Sequence, residues 1–496
     1  MYWKKQVFYM KSNDLLLEVR NLYFKYPGKD FVLRDLNLTL EKGEHVLIIG
    51  DTGSGKTTLA RVLTRIAFTV YGGEARGVIK IGNRNLFEIN NEELFEKVHL
   101  IGQNPYMYFT ELIVRDDIYN YALRIHRSHD KAVKSFSKVV EATGIHKLLD
   151  RYFYELSGGE ARRVLVAKAL ISNPDLLIFD EPLMWLDEKG VEDFKELLKL
   201  LRFLGKGVIV FEHRFLPLLR EVDRIYLLRD GKLVDVTELA LKLSRTRSSL
   251  RNDLEKASVG NPGERNSNNS NNRQKLLEAH GIYYSINGVN ILKNIDLSIY
   301  ENDLILIYGL NGSGKTTLLK VLAGYLKPTK GIIKRYCDIM YIPQNIILFY
   351  TEDSVISEIR EICRSRKLGE NCIKEGVKKV MSLNIDINES PFNLSYGQMV
   401  KLAVTIANLS KAKLLLLDEP FSGSTYSDRA KLLEYLRGAS ISALITTSNL
   451  DAYQGYMWSK TYRLEDGELS ELGIGSHDTL GYAAWLYEEI RNGIGN

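Results

Sequence analysis

Cysteine is scarce in this chain. Cys337, Cys363 and Cys372 are the only three among 496 residues, and no two form a C-x-x-C pair. That excludes an iron–sulfur cluster, a four-cysteine zinc site or a disulfide framework built by this chain alone. Reduced thiols in a cytoplasm are the expectation. Long apolar runs are missing as well. Leu414 to Leu417 and Val46 to Ile49 are strand length, far short of the roughly 20 residues a bilayer-spanning helix needs. The opening MYWKKQVFYMKSND has lysines but no apolar stretch of signal-sequence length. A membrane role would therefore need another chain to cross the bilayer. Charge excess is small, with 67 Lys and Arg against 62 Asp and Glu, a formal +5. It leaves no polyanion footprint and argues weakly for nucleic acid. What remains is globular usage, 45% hydrophobic and 26% charged. A wholly disordered or collagen-like chain is excluded, and the length predicts two or more domains.

What the chain does have is a repeat. Gly50 to Thr58 reads GDTGSGKTT and Gly309 to Thr317 reads GLNGSGKTT. Each follows an apolar run, HVLII or LILIY, and leads into a helical pattern. LSGGE at Leu156–Glu160 is matched by LSYGQ at Leu394–Gln398, and LLIFDEP, ending at Pro182, by LLLLDEP, ending at Pro420. Ser157 lies 23 residues before Asp180, as Ser395 does before Asp418. One motif order and one shared spacing indicate an internal duplication. Between the halves, residues 245–273 are rich in Asn and Ser and poor in large apolar residues. They read as a polar tether with a coil span of about 30 Å; the alternative is that the Asn-rich tract binds something. Expected domains are 1–244 and 274–496. In the first, strands at VLIIG, KVHLIG, LLIFD and GVIVFE alternate with helices over 55–66, most of 111–150, and from near Ser157. Continuous apolar runs fit strands covered on both faces, hence an α/β core with a helical insertion.

The phosphate loop is the strongest signal. The pattern G-x-x-x-x-G-K-[ST] is expected by chance roughly 0.03 times in a chain of this length; it occurs twice. Gly50, Gly53 and Gly55 let backbone wrap a phosphate, with the loop amides and the helix N-terminus facing the anion. Ser54 and Thr58 complete the loop, Lys56 reaches the outer phosphates, and Thr57 can ligate Mg²⁺. Gly309, Gly312, Ser313, Gly314, Lys315, Thr316 and Thr317 repeat the set. Asp180 and Asp418 end apolar strands and suit Mg²⁺; Glu181 and Glu419 follow, suited to orienting or deprotonating a water. Asp-Glu-Pro can also merely turn a strand, but behind a phosphate loop the catalytic reading is preferred.

In this order, GxxGxGKTT, a Gln after a strand (Gln103, Gln344), LSGGE and LLIFDEP resemble the nucleotide-binding domains of ABC ATPases, over most of both halves. The resemblance implies two tandem phosphate-loop NTPase domains. Each would be a mostly parallel core sheet with an N-terminal antiparallel β part and a helical subdomain carrying the signature. It implies an ATPase using ATP and Mg²⁺, the halves forming an internal pseudo-dimer. Each ATP would lie between one phosphate loop and the other half's signature, where Ser157 with the Gly158 and Gly159 amides, or Ser395 and Gly397, meet the γ-phosphate. By the same resemblance Gln103 and Gln344 stand near metal and water, and His213 is the switch histidine. Asp187 is the D-loop aspartate, and Tyr26 of FKYPG stacks on adenine. Tyr284, with Tyr283 close behind, is the second half's choice.

The departures matter. Ser448 stands where His213 does, Thr425 where Asp187 does, and Tyr396 replaces the first signature glycine. The two composite sites are therefore unlike. The first, with Lys56, Asp180, Glu181 and His213, is expected to hydrolyse faster, unless Tyr396 crowds its phosphate. FKYPG, IGQNP, IVRDDI and VFEHR resemble the A components of energy-coupling-factor importers of vitamins or metal ions. That implies a transmembrane coupling protein and a substrate-binding membrane protein as partners, and a place on the cytoplasmic face of the membrane. Pro105 and Tyr106 would grip a partner helix. No nucleic-acid contact is expected. The alternatives are a soluble twin ATPase acting on ribosomes or nucleic acid, and a fused sugar-importer ATPase. Gly309 to Gln344 spans 35 residues against 53 for Gly50 to Gln103, which predicts a strand pair missing from the second half.

Overall fold

The computed structural model describes residues 15–51, 53–184, 186–244, 273–421, 426–438, 441–449, 458–472 and 479–492. Thr425 and residues 245–272 of the expected tether lie outside them. The chain divides into two compact units, the first drawn almost wholly from residues up to 246 and the second from residues beyond it.

In chain order the first unit runs β1 (Leu15–Lys25), β2 (Phe31–Glu41), β3 (His45–Ile49), α1 (Lys56–Leu63), α2 (Ile66–Thr69), β4 (Glu74–Ile81), β5 (Arg84–Asn85), α3 (Asn91–Lys97), β6 (Val98–Ile101), α4 (Val114–His126), α5 (His129–Thr143), α6 (Gly158–Leu170), β7 (Leu176–Asp180), α7 (Glu188–Phe203), β8 (Gly207–Phe211), β9 (Arg224–Arg229) and β10 (Lys232–Asp235). Strands β1 and β2 pair antiparallel, and β4 adds to β1. Leu17, Val19, Leu22 and Phe24 of β1 and Leu33, Leu36, Leu38 and Leu40 of β2 are buried in one core with Val46 and Ile48 of β3. The main sheet has the order β10-β9-β3-β8-β7-β6. Its five strands β9, β3, β8, β7 and β6 are parallel, and β10 is an antiparallel edge. Every residue of β3, β7 and β8 is buried, as expected of strands covered on both faces. Because β3, β8 and β7 are neighbours, the phosphate loop, His213 and Asp180–Glu181 all leave the sheet at one edge, where ligands of open α/β sheets bind.

Helices α4 and α5 form the insertion and pack with α6. Asp117 of α4 is fully buried and pairs with Lys168 of α6 at 2.8 Å. It also accepts bonds from the Thr110 amide and hydroxyl at 2.8 and 2.7 Å. A buried carboxylate is tolerated only when so compensated. Helix α6 begins at a capping box. The Ser157 hydroxyl accepts the Glu160 amide at 3.2 Å, and Glu160 accepts the Ser157 amide at 2.8 Å, satisfying two of the helix's orphan donors.

The second unit runs β11 (Lys275–Ile286), β12 (Val289–Tyr300), β13 (Leu304–Tyr308), α8 (Lys315–Ala323), β14 (Lys330–Arg335), β15 (Ile339–Ile342), α9 (Val355–Ser365), α10 (Gly369–Ser382), α11 (Tyr396–Leu409), β16 (Leu414–Leu417), α12 (Tyr426–Gly438), β17 (Ser442–Thr447), β18 (Lys460–Glu465), β19 (Glu468–Glu471) and α13 (Thr479–Asn492). Its sheets follow the orders β12-β11-β14 and β15-β16-β17-β13-β18-β19. Arg273, at the end of the expected tether, bonds the buried Asp303 at 2.7 Å.

The structure departs from two expectations. The first unit's extra length before Gln103 is not a strand pair. It is α2, the two-residue β5 and α3. The polar run NNEE starts α3 because Asn90 caps it, accepting the Glu93 amide at 2.8 Å. Nor are all three thiols reduced: Cys363 and Cys372 are joined in a disulfide, with Cα atoms 5.8 Å apart, and Cys337 alone is free. The hairpin of α9 and α10 turns both cysteines into the same core, and nine residues of separation across that turn bring them within bonding reach.

Candidate active sites

Each phosphate loop follows its strand as a tight wrap. A Cβ at Gly50 would lie 2.7 Å from the Leu228 carbonyl oxygen, and one at Gly309 2.5 Å from that of Leu464. Gly55 and Gly314, the helix N-caps, have φ of 104° and 101°, a left-handed region open to glycine. Lys56 Nζ donates to the Gly50 and Asp51 carbonyls at 2.7 and 2.9 Å, and Lys315 Nζ to those of Gly309 and Leu310 at 2.8 and 3.0 Å. Both lysines thus hold the loop that frames the phosphate position. The Ser54 and Ser313 hydroxyls are buried without a bonding partner. Gly53 and Gly312 have φ of 83° and 82°. Thr57 and Thr58, Thr316 and Thr317 open α1 and α8.

In the first unit Glu181 sits at φ 50°, its amide donating to the Phe211 carbonyl at 2.8 Å. That strained turn aims the carboxylate back at the loop. Gln103 Nε2 donates to Glu181 Oε2 at 2.6 Å, and His213 Nδ1 lies 3.5 Å from Oε1. Burial pushes this carboxyl up, but His213, Lys56 and Gln103 outweigh it and bring it down to about 2. Glu181 is therefore charged at neutral pH. Burial and the Glu181 charge push Asp180 up to about 6, against the Thr57 hydroxyl and Lys56. Asp180 Oδ1 is buried without a hydrogen-bond partner. A bare buried carboxylate oxygen near the Thr57 hydroxyl fits a hard cation that also takes oxygens from phosphates and water. Among the described residues no three His, Cys, Asp or Glu side chains are arranged to hold a metal ion by themselves, so the donors fit such a shared ion and not an all-protein cage.

The second unit departs from this. Glu419 has φ 49°, but its Oε1 pairs with Lys315 Nζ at 3.1 Å, and its Oε2 accepts from the Ser448 amide and hydroxyl at 3.1 and 3.0 Å. Gln344 is exposed and makes no bond to Glu419. Asp418 accepts from Tyr341 OH and Thr446 Oγ1, both at 3.0 Å. Both of its oxygens already carry a hydroxyl bond, so a Mg²⁺ role fits Asp418 less well than Asp180.

Tyr26 lies beside the phosphate-loop helix, its hydroxyl 3.4 Å from Thr58 Oγ1 and its ring edge-on to Tyr71 at 6.0 Å. The strand register does not put Tyr284 in the matching place. Leu33 faces Phe24, and Leu292 faces Tyr284. Leu33 and Leu292 each underlie the last glycine of their loop, so Tyr284 matches the core residue Phe24. Ile286, 47% exposed, stands where Tyr26 does. Tyr283 lies three residues before Ile286, its ring under Lys330.

Ser157 and Ser395 cap their signature helices, with Gly158, Gly159 and Gly397 in the first turn. Tyr396 is packed against the second unit's core. Asp187 lies just before α7. Pro105 is buried, and the Tyr106 hydroxyl donates to the Leu156 carbonyl at 2.7 Å. Both serve internal packing; Met107, 80% exposed, is the outward residue.

Two residues escaped the motif reading. Glu212, fully buried, accepts from the Leu183, His213 and Arg214 amides at 3.0, 2.9 and 3.0 Å. Arg162 donates to the Gln103 and Met184 carbonyls, both at 3.3 Å, fastening the signature helix to the Gln103 loop. A charge ending an apolar strand, and an arginine on the buried face of a helix, were the available signals.

The ABC transporter family matches residues 33–184 and 292–422, more than half of the chain. A provisionally named ABC transporter ATP-binding protein of Sulfurisphaera tokodaii is 29% identical over 476 residues, covering 91% of this chain and 97% of its own. One of Treponema denticola is 27% identical over 460 residues, covering 88% and 93%. Among solved structures, an RNase-L inhibitor superposes with TM-score 0.60 at 21% identity, over 91% of this chain and 90% of that one. That last likeness concerns the fold.

Proposed function

We propose, from the premise that this chain belongs to the ABC transporter family, that it is the ATP-hydrolysing subunit of an energy-coupling-factor type importer of a vitamin or metal ion. The family and its relatives make it a two-domain ABC ATPase. The importer role, the membrane partners and the cytoplasmic-face location are our reading. The observation that carries it is a half-open apolar cavity of about 250 Å³ in the first unit. Phe95, His99, Leu100 and Tyr108, which flank Gln103 in the chain, line it together with Tyr121 of α4. Phe95 of its lining is 67% exposed, and Met107 and Leu112, which follow Gln103 in the chain, are 80% and 61% exposed. Apolar side chains presented beside a catalytic loop suit an amphipathic helix of a partner. No described helix is long and apolar enough to cross a membrane.

In this reading ATP binds each phosphate loop through Lys56 or Lys315 and the helix N-terminus. Tyr26 stacks on the base, and the signature serines with Gly158, Gly159 and Gly397 close on the γ-phosphate from the other half. Mg²⁺, held by Asp180 and Thr57, would offset the charge of the outer phosphate oxygens. Glu181, ionised and held by Gln103 and His213, accepts a hydrogen bond from the attacking water and orients it. His213 donates to the γ-phosphate as charge builds there. Movement of Gln103 on partner binding would free or fix Glu181, which couples transport to hydrolysis.

The test is affinity purification in detergent from native membranes and cytosol, with wild type and Phe95→Glu/Met107→Glu. Recovery of a multi-span membrane protein that raises wild-type ATP turnover and is lost from the variant is expected. Ribosomal proteins and no membrane chain would contradict the reading.

A further inference from the structure

Asp180 and Asp418 end corresponding strands, and strand register matches their neighbours one for one. Leu100 faces Ile178 two positions before Asp180, and Tyr341 faces Leu416 two positions before Asp418. Asp180 itself faces Phe211, while Leu417 faces Ile445 and so sets Asp418 opposite Thr446. Two hydrocarbons beside Asp180 are thus two hydroxyls beside Asp418. Tyr341 OH donates to Asp418 Oδ2 and Thr446 Oγ1 lies against Oδ1, each at 3.0 Å. Thr446 Oγ1 is fixed further by accepting the Glu419 amide at 3.2 Å. The Tyr341 ring is braced edge-on by Tyr325 at 5.8 Å. Asp418 is 2% exposed, so solvent does not compete for these bonds. At Asp180 the same position leaves Oδ1 bare.

We infer that Tyr341 and Thr446 are positioning residues that hold Asp418 away from a divalent ion, so that the second phosphate loop takes ATP with little dependence on Mg²⁺ while the first depends on it. An ion or its water arriving at Asp180 Oδ1 displaces nothing. One arriving at Asp418 must share or break a hydroxyl bond to a buried charge, the stronger kind of hydrogen bond. Mg²⁺ also demands near-octahedral geometry and cannot adapt to a carboxylate pinned from two sides. The inference needs only that both loops bind ATP, and stands or falls apart from the importer reading.

The test uses the full chain and a fluorescent ATP analogue, titrated with Mg²⁺ and with EDTA. Lys56→Ala leaves the second loop to report, and Lys315→Ala the first. Removing Mg²⁺ is expected to weaken binding at the first loop by about tenfold or more, and at the second by less than about twofold. Adding Tyr341→Phe and Thr446→Val to the Lys56→Ala chain should raise the second loop's loss to about tenfold. An equal loss at both loops, or a double variant that binds the analogue with unchanged Mg²⁺ dependence, overturns the inference. If the double variant fails to bind, Leu100→Tyr in the Lys315→Ala chain decides. Reduced Mg²⁺ dependence there supports the inference, and unchanged dependence overturns it.

Discussion

Glu181 and Glu419 share a backbone conformation, φ 50° and 49°, yet they are held by different chemistry. Glu181 faces a glutamine and a histidine. Glu419 faces the phosphate-loop lysine and a serine, which tie it down. His213→Ser would give the first site the second site's partner. It is expected to lower ATP turnover by roughly 100-fold through loss of a donor to developing charge, and unaltered turnover would remove His213 from the mechanism. The tight loop after each strand and the strand ends at the two Asp-Glu pairs were legible because glycines at fixed spacing and apolar runs closed by acids mark those turns. The Tyr284 choice failed because a β-strand alternates faces, and only the register shows that its counterpart is the buried Phe24. Tyr341 and Thr446 were illegible because they lie in unremarkable strands and act by pairing across the sheet.

At the scale of elements, the first unit's insertion is fastened to its signature helix by Asp117–Lys168, and that helix to the loops of the core by Arg162. The matching residue for Arg162 in the second unit, counted from the signature serines, is Val400. Lys168→Met leaves a fully buried carboxylate unpaired and is expected to destabilise the first unit by about 3–5 kcal/mol. Asp117→Leu in the same chain should restore most of it. Urea unfolding followed by circular dichroism measures both, and no loss in the single variant would show that Asp117 has other compensation. Strands were legible from continuous apolar runs, and the first signature helix from its motif at Ser157. The extra segment of the first unit was not. Its length is visible, but whether 18 more residues fold as strands or helices depends on a cap at Asn90 and on packing of Leu94. The disulfide likewise depends on how two helices fold back on each other.

At the scale of the molecule, duplication has left one fold twice with two different sites and two different acid responses. His45 is fully buried with both ring nitrogens unpartnered, and burial brings it down to about 4; His99 is brought down to about 4 by burial as well. An unfolded chain binds protons on these rings below about 6.5, and the folded unit refuses them until about 4. Stability of the first unit therefore falls as pH drops across that window, by roughly 1.4 kcal/mol per pH unit per histidine. The second unit has Leu304 at the place of His45, and its one described histidine, His280, is exposed. Calorimetry from pH 7 to 5 should show one transition moving down ahead of the other, and His45→Leu should reduce that shift. Transitions that move together would contradict this. The most direct test of the central claim, that the two sites are chemically unlike, is steady-state ATP turnover of Glu181→Gln beside Glu419→Gln in the full chain. The account predicts a loss of roughly 100-fold or more for Glu181→Gln and less than about threefold for Glu419→Gln. Equal losses would contradict it.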